Sequence, residues 1–101
     1  MSNLHKPLSG VTSGERQGSA TAVQLPTVSG SLVYITALAS NAGNVYLGAA
    51  GVTVPNGATD VTSGLELTPG SMIGPLPLDN LNRLYMICGN AGDDITYLVL
   101  A

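Results

Sequence analysis

Short apolar runs rich in β-branched residues and tyrosine, separated by Gly, Pro and Asn turns, recur along this chain, and no window carries an apolar stripe at helical spacing. In residues 31–38, Leu32, Tyr34, Thr36 and Leu38 fall on one side of a predicted strand, with Val33, Ile35 and Ala37 on the other. Near the C-terminus two apolar runs, 84–88 and 95–100, flank a polar stretch from Gly89 to Asp94. Their β-branched and aromatic content, with glycines between them, predicts a β-hairpin. The design recurs upstream, where 32–38 and 45–48 flank a turn containing Asn41-Ala42-Gly43-Asn44. Further strands are predicted over 19–25, 44–48, 52–54, 60–62 and 65–67. Residues 72–78 contain Pro75 and Pro77, which cannot donate to a ladder, so this segment is expected at a sheet edge.

These segments predict an all-β domain over residues 19–101: an antiparallel β-sandwich or jelly-roll-like barrel of seven to eight short strands. Residues 1–18 show no period. Pro7, Gly10, Gly14 and Gly18 punctuate them, and they are expected to form a flexible, extended N-terminal arm. Leu4, Leu8 and Val11 are its candidate anchors on a partner, and Lys6 and Arg16 are its cations.

The two faces of the predicted strands change the picture from fold to assembly. In the closing segment Leu84, Met86 and Cys88 lie opposite Tyr85 and Ile87, while Ile95, Tyr97 and Val99 lie opposite Thr96, Leu98 and Leu100. A strand in a half-solvated sandwich needs only one apolar face. The second apolar face predicts cover by another subunit, with Tyr85 and Ile87 as candidate partner-binding residues.

Composition points the same way. Charged residues make up 9% of the 101 positions, against about 25% in an ordinary soluble domain. None lies between Gln17 and Thr59. A surface so short of charge suits a subunit covered by other protein better than a free monomer. Only Lys6, Arg16 and Arg83 are basic, so there is no stripe for nucleic acid, and the formal net charge is −3. No run approaches the ~18 consecutive apolar residues of a membrane helix, and no signal peptide is read at the N-terminus. The expectation is a protein made in a reducing cytoplasm and then assembled.

The sequence offers little for catalysis. The single histidine, His5, falls in the predicted arm, and the single cysteine, Cys88, lies in a strand with no cation beside it. One His and one Cys cannot form a zinc set. Asp93-Asp94 lacks calcium-loop spacing and reads as turn chemistry. No catalytic residue, cofactor or metal is expected.

With these residues in view, the chain from Ser19 to Ala101 resembles small structural proteins of tailed-bacteriophage virions, especially capsid decoration (cement) proteins. The resemblance rests on SLVYITALASNAGNVYLGAAGVT and on LELTPGSMIGPLPLDNLNRLYMICGNAGDDITYLVLA. It implies a virion protein on the capsid exterior that binds the major capsid protein of a phage head. The implied form is a homo-oligomer, commonly a trimer, that reinforces the shell. Similar modules occur in tail, fibre and baseplate proteins, where the corresponding task is binding a host receptor or glycan.

Overall fold

The computed structural model describes residues 7–101. Eight strands follow in order: β1 (Val11–Gln17), β2 (Val23–Gln24), β3 (Leu32–Ala37), β4 (Val45–Gly48), β5 (Leu65–Leu67), β6 (Met72–Leu76), β7 (Tyr85–Cys88) and β8 (Asp94–Leu100). They form two four-stranded sheets, ordered β1-β8-β3-β6 and β2-β7-β4-β5. The antiparallel pairs are nested, β4 with β5, β3 with β6, β2 with β7 and β1 with β8. A single long ribbon is thus folded over on itself, and the fold brings β8 against β3 and β7 against β4. The result is an eight-stranded, two-sheet jelly roll, within the all-β class that the short strands and their Gly, Pro and Asn turns predict.

The alternation decides what fills the interior. Val33, Ile35 and Ala37 on β3, Ile95 and Val99 on β8, Val45 and Leu47 on β4, and Met86 and Cys88 on β7 form one buried cluster between the sheets. With no Phe or Trp to fill it, the core is closed by aliphatic side chains from the connections. Leu81 is one of these, fully buried from the 3-10 turn Leu81–Arg83 that precedes β7. Asn80 fixes that turn: its Oδ1 accepts from the Asn82 and Val28 backbone N–H groups, both at 3.0 Å.

Three sequence expectations are corrected. The closing segment is not a hairpin, because β7 and β8 belong to opposite sheets. The same holds for β3 and β4, so each of the two similar units is an arch that crosses the sandwich. Period-two strands around a Gly-Asn turn look the same in sequence whether the turn closes a ladder or spans the ~10 Å between sheets. Both arches need their inward residues buried from opposite layers, and packing selects the crossing.

The second correction concerns the arm. Residues 11–17 form β1, paired along its whole length with β8 from Val11↔Leu100 to Gln17↔Asp94. Its side chains supply almost no core, so no apolar period marks it; the backbone ladder holds it instead. Gly14 lies directly opposite Tyr97, and a Cβ at that position would collide with the Tyr97 hydroxyl. The glycine that reads as a breaker is the close approach that lets β1 lie over a tyrosine. The third correction is smaller. Of 19–25 only Val23–Gln24 is strand, and 52–54 and 60–62 are loop, with one isolated bridge from Thr53 to Ser63 beside them. Asp60 organises that loop, accepting from the Thr53 hydroxyl (2.6 Å) and from the Thr62 hydroxyl and N–H (2.7 and 2.9 Å). These bonds hold the Asp60 carboxyl below its ordinary pKa.

Candidate functional site

The outer face of the β1-β8-β3-β6 sheet is the most prominent surface feature. Because Ile95, Tyr97 and Val99 turn inward on β8, Thr96, Leu98 and Leu100 turn outward. Register then sets their neighbours. Leu100 lies between Val11 of β1 and Leu32 of β3, and Leu98 lies between Ser13 and Tyr34. Thr96 lies between Glu15 and Thr36, and Thr36 in turn faces Met72 of β6. Val11 is 67% exposed, Met72 62% and Leu98 37%. At Met72 and Leu98 is an open depression of about 350 Å³, lined also by Tyr34, Thr36, Thr96 and Tyr97. Gly74 shapes its rim: at φ 139° it adopts backbone that a side chain rarely allows, and a Cβ there would press on the Tyr34 ring at 2.8 Å.

The face is graded from apolar to acidic. Its Leu100 end carries no charge, whereas its other end holds Glu15 and Asp94 on adjacent strands. Glu15 is pushed above its ordinary pKa of 4.5, first because its protonated carboxyl bonds Asp94 and then because the two charges repel. One Asp94 carboxylate oxygen is buried with no hydrogen-bond partner. Arg16, the nearest cation in sequence, lies on the opposite side of β1, facing Ile95. The sign of the pH effect follows. Stability from the shared proton is complete below pH 4.5 and is lost as pH rises through the raised Glu15 value. Glu15→Gln should therefore flatten the dependence of melting temperature on pH just above 4.5 and leave neutral-pH stability equal or higher. Thermal melts from pH 4 to 7 check this (roughly the carboxylate range), and an unchanged slope would refute the pairing.

The candidate residues from sequence separate into groups. Leu4 and Lys6, like His5, lie outside the described residues. Val11 sits at the apolar end of the outer face, and Leu8 is exposed just before it, where Ser9 and Gly10 bond to Ala101. Arg16 is half-buried beneath the sheet. Tyr85 and Ile87 are on the other sheet, opposite Gly48 and Tyr46. Ile87 is only 8% exposed, so the chain itself covers the surface expected there for a neighbour. The residues missing from that set are Leu98, Leu100, Tyr34 and Met72. The two-faced apolar patterns of β8 and β3 are the signal for Leu98, Leu100 and Tyr34; Met72 has none, because the prolines after it obscure the strand.

Among the described residues no three His, Cys, Asp or Glu side chains converge as metal ligands. The Cys88 thiol is buried, donates to the Asp93 carbonyl at 3.7 Å, and is pushed up in pKa by burial and then by the Asp93 charge. It stays protonated and packs as a small apolar group. Asp93 and Asp94 act in the fold. Asp93 accepts from the Ala42 N–H (3.0 Å) and the Gly43 N–H (2.9 Å) of the other arch. Asn41 exchanges two bonds with the Asp94 backbone, each 2.9 Å.

No protein-family model, no curated protein and no solved structure matches this chain.

Proposed function

We propose that this protein is a virion structural protein that docks, as an oligomer, on the outside of a phage capsid and stabilises the shell. The observation that carries the reading is the outer face of the β1-β8-β3-β6 sheet, where Val11, Leu98 and Met72 stand exposed with no charge between them. Leaving a central Leu and Met in water forgoes burial worth about 25 cal/mol per Å² of apolar surface, which a docked shell protein recovers. The chain's low charge and the resemblance of its sequence to capsid decoration proteins support the same reading. The mechanism is cross-linking: each unit buries surface on several copies of the major capsid protein, so release requires several contacts to open together.

The test is direct. Purified protein added to bare shells should bind to saturation at hundreds of copies per particle, on the order expected for multivalent shell decoration, and should raise the temperature at which the shells open. Shells that bind it yet open at the same temperature as bare ones would end the stabilising role.

A second reading has its own observation. Tyr34, with the Thr36 and Thr96 hydroxyls, lines the depression, and an aromatic face beside hydroxyls suits a sugar ring. A tail, fibre or baseplate module of that kind would show saturable binding to host cells or a glycan array, lost in Tyr34→Ala. It would also be present in only a handful of copies per virion.

A further inference from the structure

The two sheets have four edge strands, and three of them are blunted. β2 is two residues long, and β5 is three, with Glu66 at its centre. β6 carries Pro75 and a register shift against β3. β1 differs from all three: seven residues, no proline, and unbroken register to β8. Long, regular edges are what folded proteins usually avoid, because their unpaired backbone groups template another strand.

The hydrogen-bond alternation shows which groups are free. Gly10 exchanges two bonds with Ala101 (2.7 and 2.9 Å), and Gly18 donates to the Asp93 carbonyl at 2.8 Å. In an antiparallel ladder such pairs recur at every second residue, so Thr12, Gly14 and Arg16 also bond toward β8. The backbone N–H and C=O groups of Val11, Ser13, Glu15 and Gln17 therefore point away from the sheet. Among the described residues no strand pairs with them, and all four residues are exposed.

We propose that this edge is a self-pairing site: two copies join β1 to β1, antiparallel about a two-fold axis through Gly14, into one eight-stranded sheet. The strand is complementary to itself in that register. Val11 lies opposite Gln17 of the second copy, Ser13 opposite Glu15, and Thr12 opposite Arg16, so all seven residues pair and no like charges meet directly. Shifting the axis to Glu15 sets two carboxylates face to face, and shifting it to Ser13 shortens the ladder. Both copies keep their outer faces on the same side, so the joined sheet doubles the apolar surface. One four-stranded face offers roughly 400–500 Å² at ordinary strand spacing and rise. That is about half of the ~800 Å² per partner in a stable protein interface, and two joined faces reach it. Such an isologous contact closes as a dimer, in place of the trimer that the resemblance implies.

The inference deepens the oligomer part of the reading above and rests on that reading for its purpose only. Its test uses the purified full chain alone, so failure here leaves the shell-binding result standing. Sedimentation equilibrium should give a dimer. Ser13→Pro removes an outward N–H without touching the β8 ladder, and it should give a monomer with a nearly unchanged melt. Should that variant fold poorly, charge reads out the same register. Ser13→Glu, opposite Glu15 of the second copy, should weaken dimerisation by about two- to tenfold, and Ser13→Lys should tighten it by a similar factor, as for directly opposed cross-strand pairs. A monomeric or trimeric native chain overturns the proposal, as does a dimer indifferent to the charge at residue 13. Pairing of this edge with a shell-protein strand but not with a second copy would overturn it too.

Discussion

Asp93→Ala should lower the melting temperature by roughly 10–20 °C, which corresponds to about 2–4 kcal/mol for a domain of this size. The carboxylate is 6% exposed and accepts two backbone N–H groups from residues fifty positions away in sequence, Ala42 and Gly43. Hydrogen bonds to a charged acceptor contribute about 1.5–3 kcal/mol each. Ala42 is exposed and water can replace its partner in part, which brings the combined figure down to about 2–4 kcal/mol. The loss falls where the sandwich has no ladder to compensate, since β3–β4 and β7–β8 cross between the sheets at this corner. Asp93→Asn keeps one side-chain acceptor and should fall between the two. Asn41→Ala, which removes the matching pair of bonds to Asp94, should cost about 1–2 kcal/mol and should not add fully to Asp93→Ala, because both hold the same corner. An Asp93→Ala melt within two or three degrees of the parent, the shift of a fraction of a kcal/mol, would show that the arches are held by packing alone.

The corner also shows where sequence reading succeeds and where it stops. Strand type in 32–37 and 94–100 is a local property, legible in their β-branched and aromatic content, but with both faces apolar only the fold decides that Val33, Ile35, Ala37, Ile95 and Val99 are the buried set. Which strand pairs with which is not local. The repeated Asn-Ala-Gly turns announce two similar units, but their meaning lies in bonds between them, from Asp93 to residues 42 and 43. No turn preference encodes that contact. β1 was illegible for the opposite reason. It is specified by backbone pairing to β8 and by the absence of a side chain at Gly14, and neither leaves a hydrophobic pattern. The candidate site was half-legible. A second apolar face was readable on both closing strands, but on β7 the chain itself covers that face at Ile87. Only the register shows that the face left open is the one around Leu98.

Leu98→Lys should then abolish shell binding while leaving the fold close to its parent stability. The residue is 37% exposed, and its side chain lies between Ser13 and Tyr34 on the solvent side of the sheet. A lysine there extends its stem over Tyr34 and keeps its ammonium in water, so the folded monomer loses less than about 1 kcal/mol. In the docked state the same ammonium is trapped at the centre of an uncharged face. Glu15 and Asp94 lie toward the far end, one and two outward rows away. Burying an unpaired charge costs several kcal/mol, so affinity should fall by about a hundredfold or more at each contact, and multivalency compounds the loss across the assembly. Val61→Lys serves as the comparison. Val61 is 96% exposed on the loop between β4 and β5, well outside this sheet, and its variant should decorate shells like the parent. Titration of bare shells with the three proteins, read by co-sedimentation, separates the outcomes. Equal binding of Leu98→Lys and parent would remove this face from the interface, and loss of binding by Val61→Lys instead would move the interface to the β4–β5 loop.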